Sequence, residues 1–156
     1  RVMGPETSQA AVYAPLEPLV HGVVTGVHNG SVLCYGQTSA GKTFTMEGPA
    51  NSIANSEQRG IIPRALATIF AVASANGREK DEDQGGTFRV RVAMLEIYKE
   101  RFRDLLNVDR RLELQLATGP DGLVEVQGLQ RVLVGTLQQA LDVFRFGQQQ
   151  RMVAAT

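Results

Sequence analysis

Eight consecutive residues, Gly36-Gln37-Thr38-Ser39-Ala40-Gly41-Lys42-Thr43, have the types and spacing for phosphate chemistry. They fit GxxxxGK[ST], with both glycines, the lysine and the hydroxyl at the required offsets. Gly36 and Gly41 permit backbone angles and a close approach that a side chain would block. The N–H groups between them can then turn inward as an anion-binding concavity. Lys42 offers a mobile positive charge to β- and γ-phosphates, and Thr43 a hydroxyl to Mg²⁺. A helix starting near Lys42 would add the positive end of its dipole.

Such a loop works only between a strand and a helix. Val32-Leu33-Cys34-Tyr35 reads as the strand, and no helix breaker follows until Gly48. Upstream, Thr7 or Ser8 is placed to cap a helix running towards Val27, with Val12, Leu16, Leu19, Val20, Val23 and Val24 at helical spacing. Pro15 and Pro18 fall inside that pattern, and Gly22 and Gly26 weaken it, so a kinked or interrupted helix is predicted. Asn29-Gly30 is a turn signal leading into the strand. His21 and His28 read as exposed positions, since no Cys/His cluster accompanies them.

Downstream, the small polar residues from Pro49 to Gly60 read as a loop. Pro63 suits the first turn of a second helical piece, from Arg64 to about Ala75, which Asn76-Gly77 ends. The charged run within residues 78–86 reads as a solvated loop. Thr87 to Tyr98 reads as one long strand, with Arg89 and Arg91 on its wet side. Lys99 to Leu106 reads as a turn or short helix. Strand-like pieces at Arg111 to Leu116 and Leu123 to Val126 flank a Gly119-Pro120-Asp121-Gly122 hairpin turn, and Val132-Leu133-Val134 adds a short extended piece. Thr136 is placed to cap a last helix from Leu137 to about Gln150, with Leu137, Ala140, Leu141 and Phe144 on one face.

Composition sets broad bounds. At 156 residues a single domain is the default, and 43% hydrophobic with 21% charged residues is a globular composition. Sixteen basic residues balance sixteen acidic ones, so nothing global points to nucleic acid or to a membrane surface. Cys34, the single cysteine, cannot form an internal disulfide, which fits a reducing compartment. Its place among apolar residues suggests a packed thiol. No apolar run has the length of a membrane span, and no signal peptide is visible.

The residues within and after the loop narrow the reading. Gln37-Thr38 in the loop, followed by Phe44-Thr45-Met46-Glu47-Gly48, resembles the kinesin motor domain, whose loop reads GQTxxGK[ST] and continues into TMEG. Further landmarks follow in the same order: Gln9, Val12 and Tyr13; Asn29-Gly30; Gly60-Ile61-Ile62-Pro63-Arg64; Leu95-Glu96-Ile97-Tyr98; and Asp104-Leu105-Leu106. The resemblance covers the chain from Arg1 to Thr156. Lys99 departs from it, because kinesins usually carry Asn there.

The resemblance implies an α/β fold of the phosphate-loop NTPase type, with a mixed sheet flanked by helices. It implies ATP and Mg²⁺ as cofactors, Gly36 to Thr43 around the phosphates, Thr43 at the metal and Phe44 against adenine. It also implies a cytoplasmic, cytoskeletal setting with microtubules as partner. The family's two switch segments, resembling NxxSSRSH and DxAGxE, do not occur here, nor do its adenine-contacting RxRP strand or neck linker. The expectation is therefore a partial motor domain over residues 1–156, with no catalytic residue of its own and no turnover by itself. Two other readings stand beside it. One is a non-motor ATP- or GTP-binding switch, against which TMEG, GIIPR and LEIY argue. The other is a nucleotide-free, microtubule-binding structural protein, against which intact Lys42 and Thr43 argue.

Overall fold

The computed structural model describes residues 2–49, 57–77, 88–107, 114–120 and 122–154. The chain divides into two compact units, Arg1–Phe88 and Arg89–Thr156. The predicted loop between Gly48 and Gly60, the charged run 78–86 and the start of the piece at Arg111 fall wholly or largely outside the described residues.

The first unit is helical. Helix α1 (Gln9–Tyr13) starts where Ser8 accepts a hydrogen bond from the Ala11 amide, at 3.2 Å. The two prolines then have the predicted effect. Pro15 sits in a single 3-10 turn (Ala14–Leu16) and Pro18 near the start of helix α2 (Glu17–Val24), so the helix is interrupted without being lost. It stops short of Val27 because Gly26 takes a left-handed conformation (φ 76°). The chain then folds back on α2: the His28 ring lies where a Cβ on Gly22 would stand, and its Nε2 lies 3.3 Å from the Leu19 carbonyl oxygen. His28 is exposed, as expected of a turn position, with its ring laid against α2.

Helix α3 (Lys42–Glu47) follows the glycine-rich loop, and Gly48 ends it. Helix α4 (Ile61–Gly77) begins three residues before the expected start, with Pro63 fully buried in its first turn. It packs along α2, and the Tyr13 hydroxyl donates to Thr68 Oγ1 at 2.8 Å. Burial pushes the Tyr13 phenol above its ordinary pKa, and the bond to Thr68 pulls the other way more weakly.

Residues 32–35 do not form the predicted strand: they join no ladder among the described residues. Their exposure still alternates, with Val32 and Cys34 half-buried and Leu33 and Tyr35 almost fully exposed. That is the period of an extended segment. A strand is defined by pairing, and no described strand lies beside it.

Among the described residues, the second unit holds three two-stranded antiparallel ladders and one helix. The apolar run from Thr87 to Tyr98 is two strands, correcting the single strand predicted. Strand β1 (Val90–Val92) pairs with β6 (Val132–Val134), and β2 (Leu95–Tyr98) pairs with β3 (Arg101–Asp104). The break falls at Ala93-Met94, where the chain changes partner. Arg101 to Asp104 is a strand, removing the short-helix option for this stretch. The hairpin turns on Lys99 and Glu100, both at positive φ (48° and 63°), the pattern of a two-residue type I′ loop. Asn is favoured in that conformation and Lys is not, which gives the departure at Lys99 a physical meaning.

Asp104 ends the hairpin by accepting from the amides of Leu106 (2.8 Å), Asn107 (3.2 Å) and Gln130 (2.6 Å). Strands β4 (Gln115–Thr118) and β5 (Val124–Gln127) form the predicted hairpin, with the Gly119 amide donating to the Leu123 carbonyl at 2.8 Å. Helix α5 (Leu137–Ala154) covers the core of this unit with Ala140, Leu141 and Phe144, each no more than 3% exposed. Val134, Leu105 and Leu106 are the other buried apolar residues among those described in this unit.

Candidate functional site

The glycine-rich loop owes its shape to two left-handed residues. Gly41 (φ 86°, ψ 13°) turns the chain into α3, and Ser39 (φ 65°) precedes it. A Cβ on Gly41 would meet nothing within 4 Å, so glycine is required there for its backbone and not for space. Within the loop the Ala40 amide donates to the Gln37 carbonyl at 3.2 Å, and at its end the Thr45 amide donates to the Gly41 carbonyl at 2.9 Å.

The first four N–H groups at a helix start lack an intrahelical acceptor, and a side chain at the capping position normally supplies one. Gly41 has no side chain, and α3 has no side-chain cap. A group that brings its own oxygens is the natural complement to such a start. The Lys42 ammonium points back over the loop, donating to the carbonyl oxygens of Gly36 (2.7 Å) and Gln37 (2.6 Å). An ammonium has three donors, so two are held by the loop itself. Gln37, Thr38, Ser39, Ala40, Thr43 and Phe44 are exposed, while Gly36, Gly41 and Lys42 are half-buried. Six of these nine consecutive residues, from the loop into the first turn of α3, are therefore open to solvent.

The far end of α3 is braced by residues whose part was not legible from the loop motif. Gln9, 8% exposed, donates its side-chain amide to the Phe44 carbonyl at 2.7 Å. That carbonyl also accepts the Gly48 amide at 2.9 Å. The Gly60 amide donates to the Glu47 carbonyl at 3.3 Å, and a Cβ on Gly60 would stand only 2.6 Å from the backbone of Glu47 and Gly48. Glycine at 60 thus lets α4 start against the end of α3. Arg64 closes the same corner, with Nε donating to the Arg59 carbonyl (2.8 Å) and Nη2 to the Glu57 carbonyl (2.9 Å). In the sequence, Gln9 and the GIIPR segment were visible only as landmarks, because hydrogen bonds spanning 35 residues leave no local pattern.

Glu47 and Glu96 are the carboxylates adjacent to motif residues. Glu47 is buried at the end of α3, on the last helical turn from Thr43. Glu96 is paired with Arg103 at 3.3 Å across the β2–β3 hairpin.

The family model of the kinesin motor domain matches residues 1–156. Kinesin-like protein klp-20 of Caenorhabditis elegans is 38% identical over 156 residues, which cover 99% of this chain and 23% of that protein. Kinesin-related protein 5 of Dictyostelium discoideum is 35% identical over 158 residues, 100% of this chain and 15% of its own. The chain thus spans under a quarter of these curated relatives. The solved structure of a fast kinesin, studied for its ATPase mechanism and its interactions with microtubules, is similar with a TM-score of 0.87 and 35% identity, over 100% of this chain and 42% of that one. This likeness carries the α/β fold class over to this chain, in which the described ladders are short and antiparallel. On these matches and on the loop, helix and hairpin described above, the chain belongs to the kinesin motor-domain family.

Proposed function

We propose that residues 36–43 hold the phosphates of ATP, and that the chain is the nucleotide-binding part, over residues 1–156, of a motor that couples ATP hydrolysis to movement on microtubules. The observation that carries this reading is the start of α3: a left-handed glycine, no side-chain cap, and a lysine ammonium resting on the loop's own carbonyls. Loop amides and the Lys42 ammonium would take phosphate oxygens, with Lys42 exchanging its two carbonyl partners for them. Thr43, exposed on the first turn, would offer its hydroxyl to Mg²⁺, and Phe44 its ring to adenine. Bound Mg²⁺ supplies charge neutralisation on the phosphates. The setting of such a motor is cytoplasmic and cytoskeletal.

Hydrolysis also needs groups that position the attacking water and meet charge on the γ-phosphate. Residues 1–156 carry the cradle and no segment resembling either switch, so we assign them binding without turnover, with or without microtubules. The reading is tested by titrating a fluorescent Mg·ATP analogue into the complete protein and its Lys42→Ala variant. Loss of a charged partner to phosphate should weaken binding about a hundredfold. Equal affinity in the two proteins would remove the assignment.

A further inference from the structure

We propose that Gln9 is a positioning residue for the nucleotide site, acting through the Phe44 carbonyl; this rests on the phosphate-loop reading above. Helix α3 has six residues, far fewer than a helix needs to hold itself in water. At its start it has no side-chain cap. Its orientation therefore depends on what grips its other end, and among the described residues Gln9 and Gly60, from elsewhere in the unit, are two that do so. The Gly60 amide takes the Glu47 carbonyl at 3.3 Å, and the Gln9 amide takes the Phe44 carbonyl at 2.7 Å.

The second contact is the shorter, and it is made by a buried side chain at the first position of α1, next to the Ser8 cap that fixes that helix start. Phe44 directly follows Thr43 and Lys42. At about 1.5 Å of rise per residue, the gripped carbonyl lies only about 3 Å along the axis from the Lys42 backbone. A shift at Phe44 is passed almost undiminished to the lysine, the hydroxyl and the ring that the site uses, and misplacements near 1 Å are enough to weaken a polar site severely. A buried glutamine here does more than fill space. A methionine would fill the same volume but leave the carbonyl with the Gly48 amide alone.

The test uses the complete protein. Gln9→Met should bind Mg·ATP roughly tenfold more weakly. Tyr13→Phe is the structural control: it deletes another side-chain hydrogen bond in the same unit, to Thr68, and touches no residue of the loop. It should lower the melting temperature by a similar amount and leave affinity unchanged. Should Gln9→Met fold poorly, Gln9→Glu keeps the shape and sets a carboxylate against the Phe44 carbonyl. Relative to wild type at each pH, it should bind worst at about pH 8 and recover towards about pH 6, where a buried carboxyl protonates and donates. Unchanged affinity in Gln9→Met, or affinity falling in proportion to melting temperature in both Gln9→Met and Tyr13→Phe, overturns the proposal. Lys42→Ala run alongside keeps the two levels apart: weak binding there with normal binding in Gln9→Met rejects the role of Gln9 and keeps the phosphate loop.

Discussion

Helices α3 and α5 each begin directly after a residue suited to a tight start, Gly41 in one and Thr136 in the other. The Thr136 hydroxyl accepts the Gln139 amide at 3.2 Å, and the Gln139 side chain reaches back to the Gly135 amide at 2.8 Å. This is a capping box drawn out by one residue. Beyond that start, Ala140, Leu141 and Phe144 bury one face, so α5 satisfies its first turn and its apolar stripe from within its own unit. Helix α3 does neither: its start has no side chain, Phe44 is 54% exposed, and Gln9 and Gly60 are among the groups that hold it. The difference separates a helix that completes a core from one whose start carries no side-chain cap and whose surface stays largely exposed. Under the proposed reading, capping α3 as α5 is capped would occupy the place assigned to phosphate oxygens.

Four substitutions sharpen or break this contrast. The largest effect belongs to Phe144→Ala, a cavity in the core under α5. It should cost about 3–5 kcal/mol, read as faster amide exchange along α5, and leave nucleotide affinity untouched. A matching loss of affinity would mean that the two helices are not independent in role.

Next is Gly41→Ala. No atom obstructs the new methyl group, so its effect is the left-handed backbone alone, about 1–2 kcal/mol. Nucleotide binding should weaken accordingly, and Gly41→Asn, which tolerates that conformation, should weaken it less. Identical binding by all three proteins would show that the loop does not need this turn.

Thr136→Ala removes the side-chain acceptor that α3 never had. The expected loss is about 1 kcal/mol of stability, measured by thermal unfolding and seen in the first turn of α5 by amide exchange. An unchanged first turn would show that the Gln139 contact caps α5 by itself.

The smallest effect is a gain. Lys99 holds a positive φ without being glycine or asparagine. Lys99→Asn should therefore stabilise the β2–β3 hairpin by a few tenths of a kcal/mol, visible as slower exchange of its amides. A destabilised hairpin would mean that the Lys99 ammonium over the Tyr98 ring, 5.3 Å from its centroid, is worth more than the backbone preference.

What the sequence by itself determined is everything decided within a few residues. The Ser8 and Thr136 caps, the proline interruption before α2, the Gly48 stop, the hairpin turn at residues 119–122 and the glycine-rich loop ahead of α3 all follow from local sterics and nearest hydrogen bonds. Tertiary structure alone decided pairing and bracing. An apolar run such as residues 87–98 has the same period whether it serves one sheet or two, so only the partners β6 and β3 could divide it. Residues 32–35 have a strand's composition, but a ladder needs a neighbour, and composition cannot supply one. Gln9 is one polar residue among many in the sequence. Its amide met the Phe44 carbonyl, 35 positions away, at 2.7 Å only when folding brought the two together and buried the Gln9 side chain.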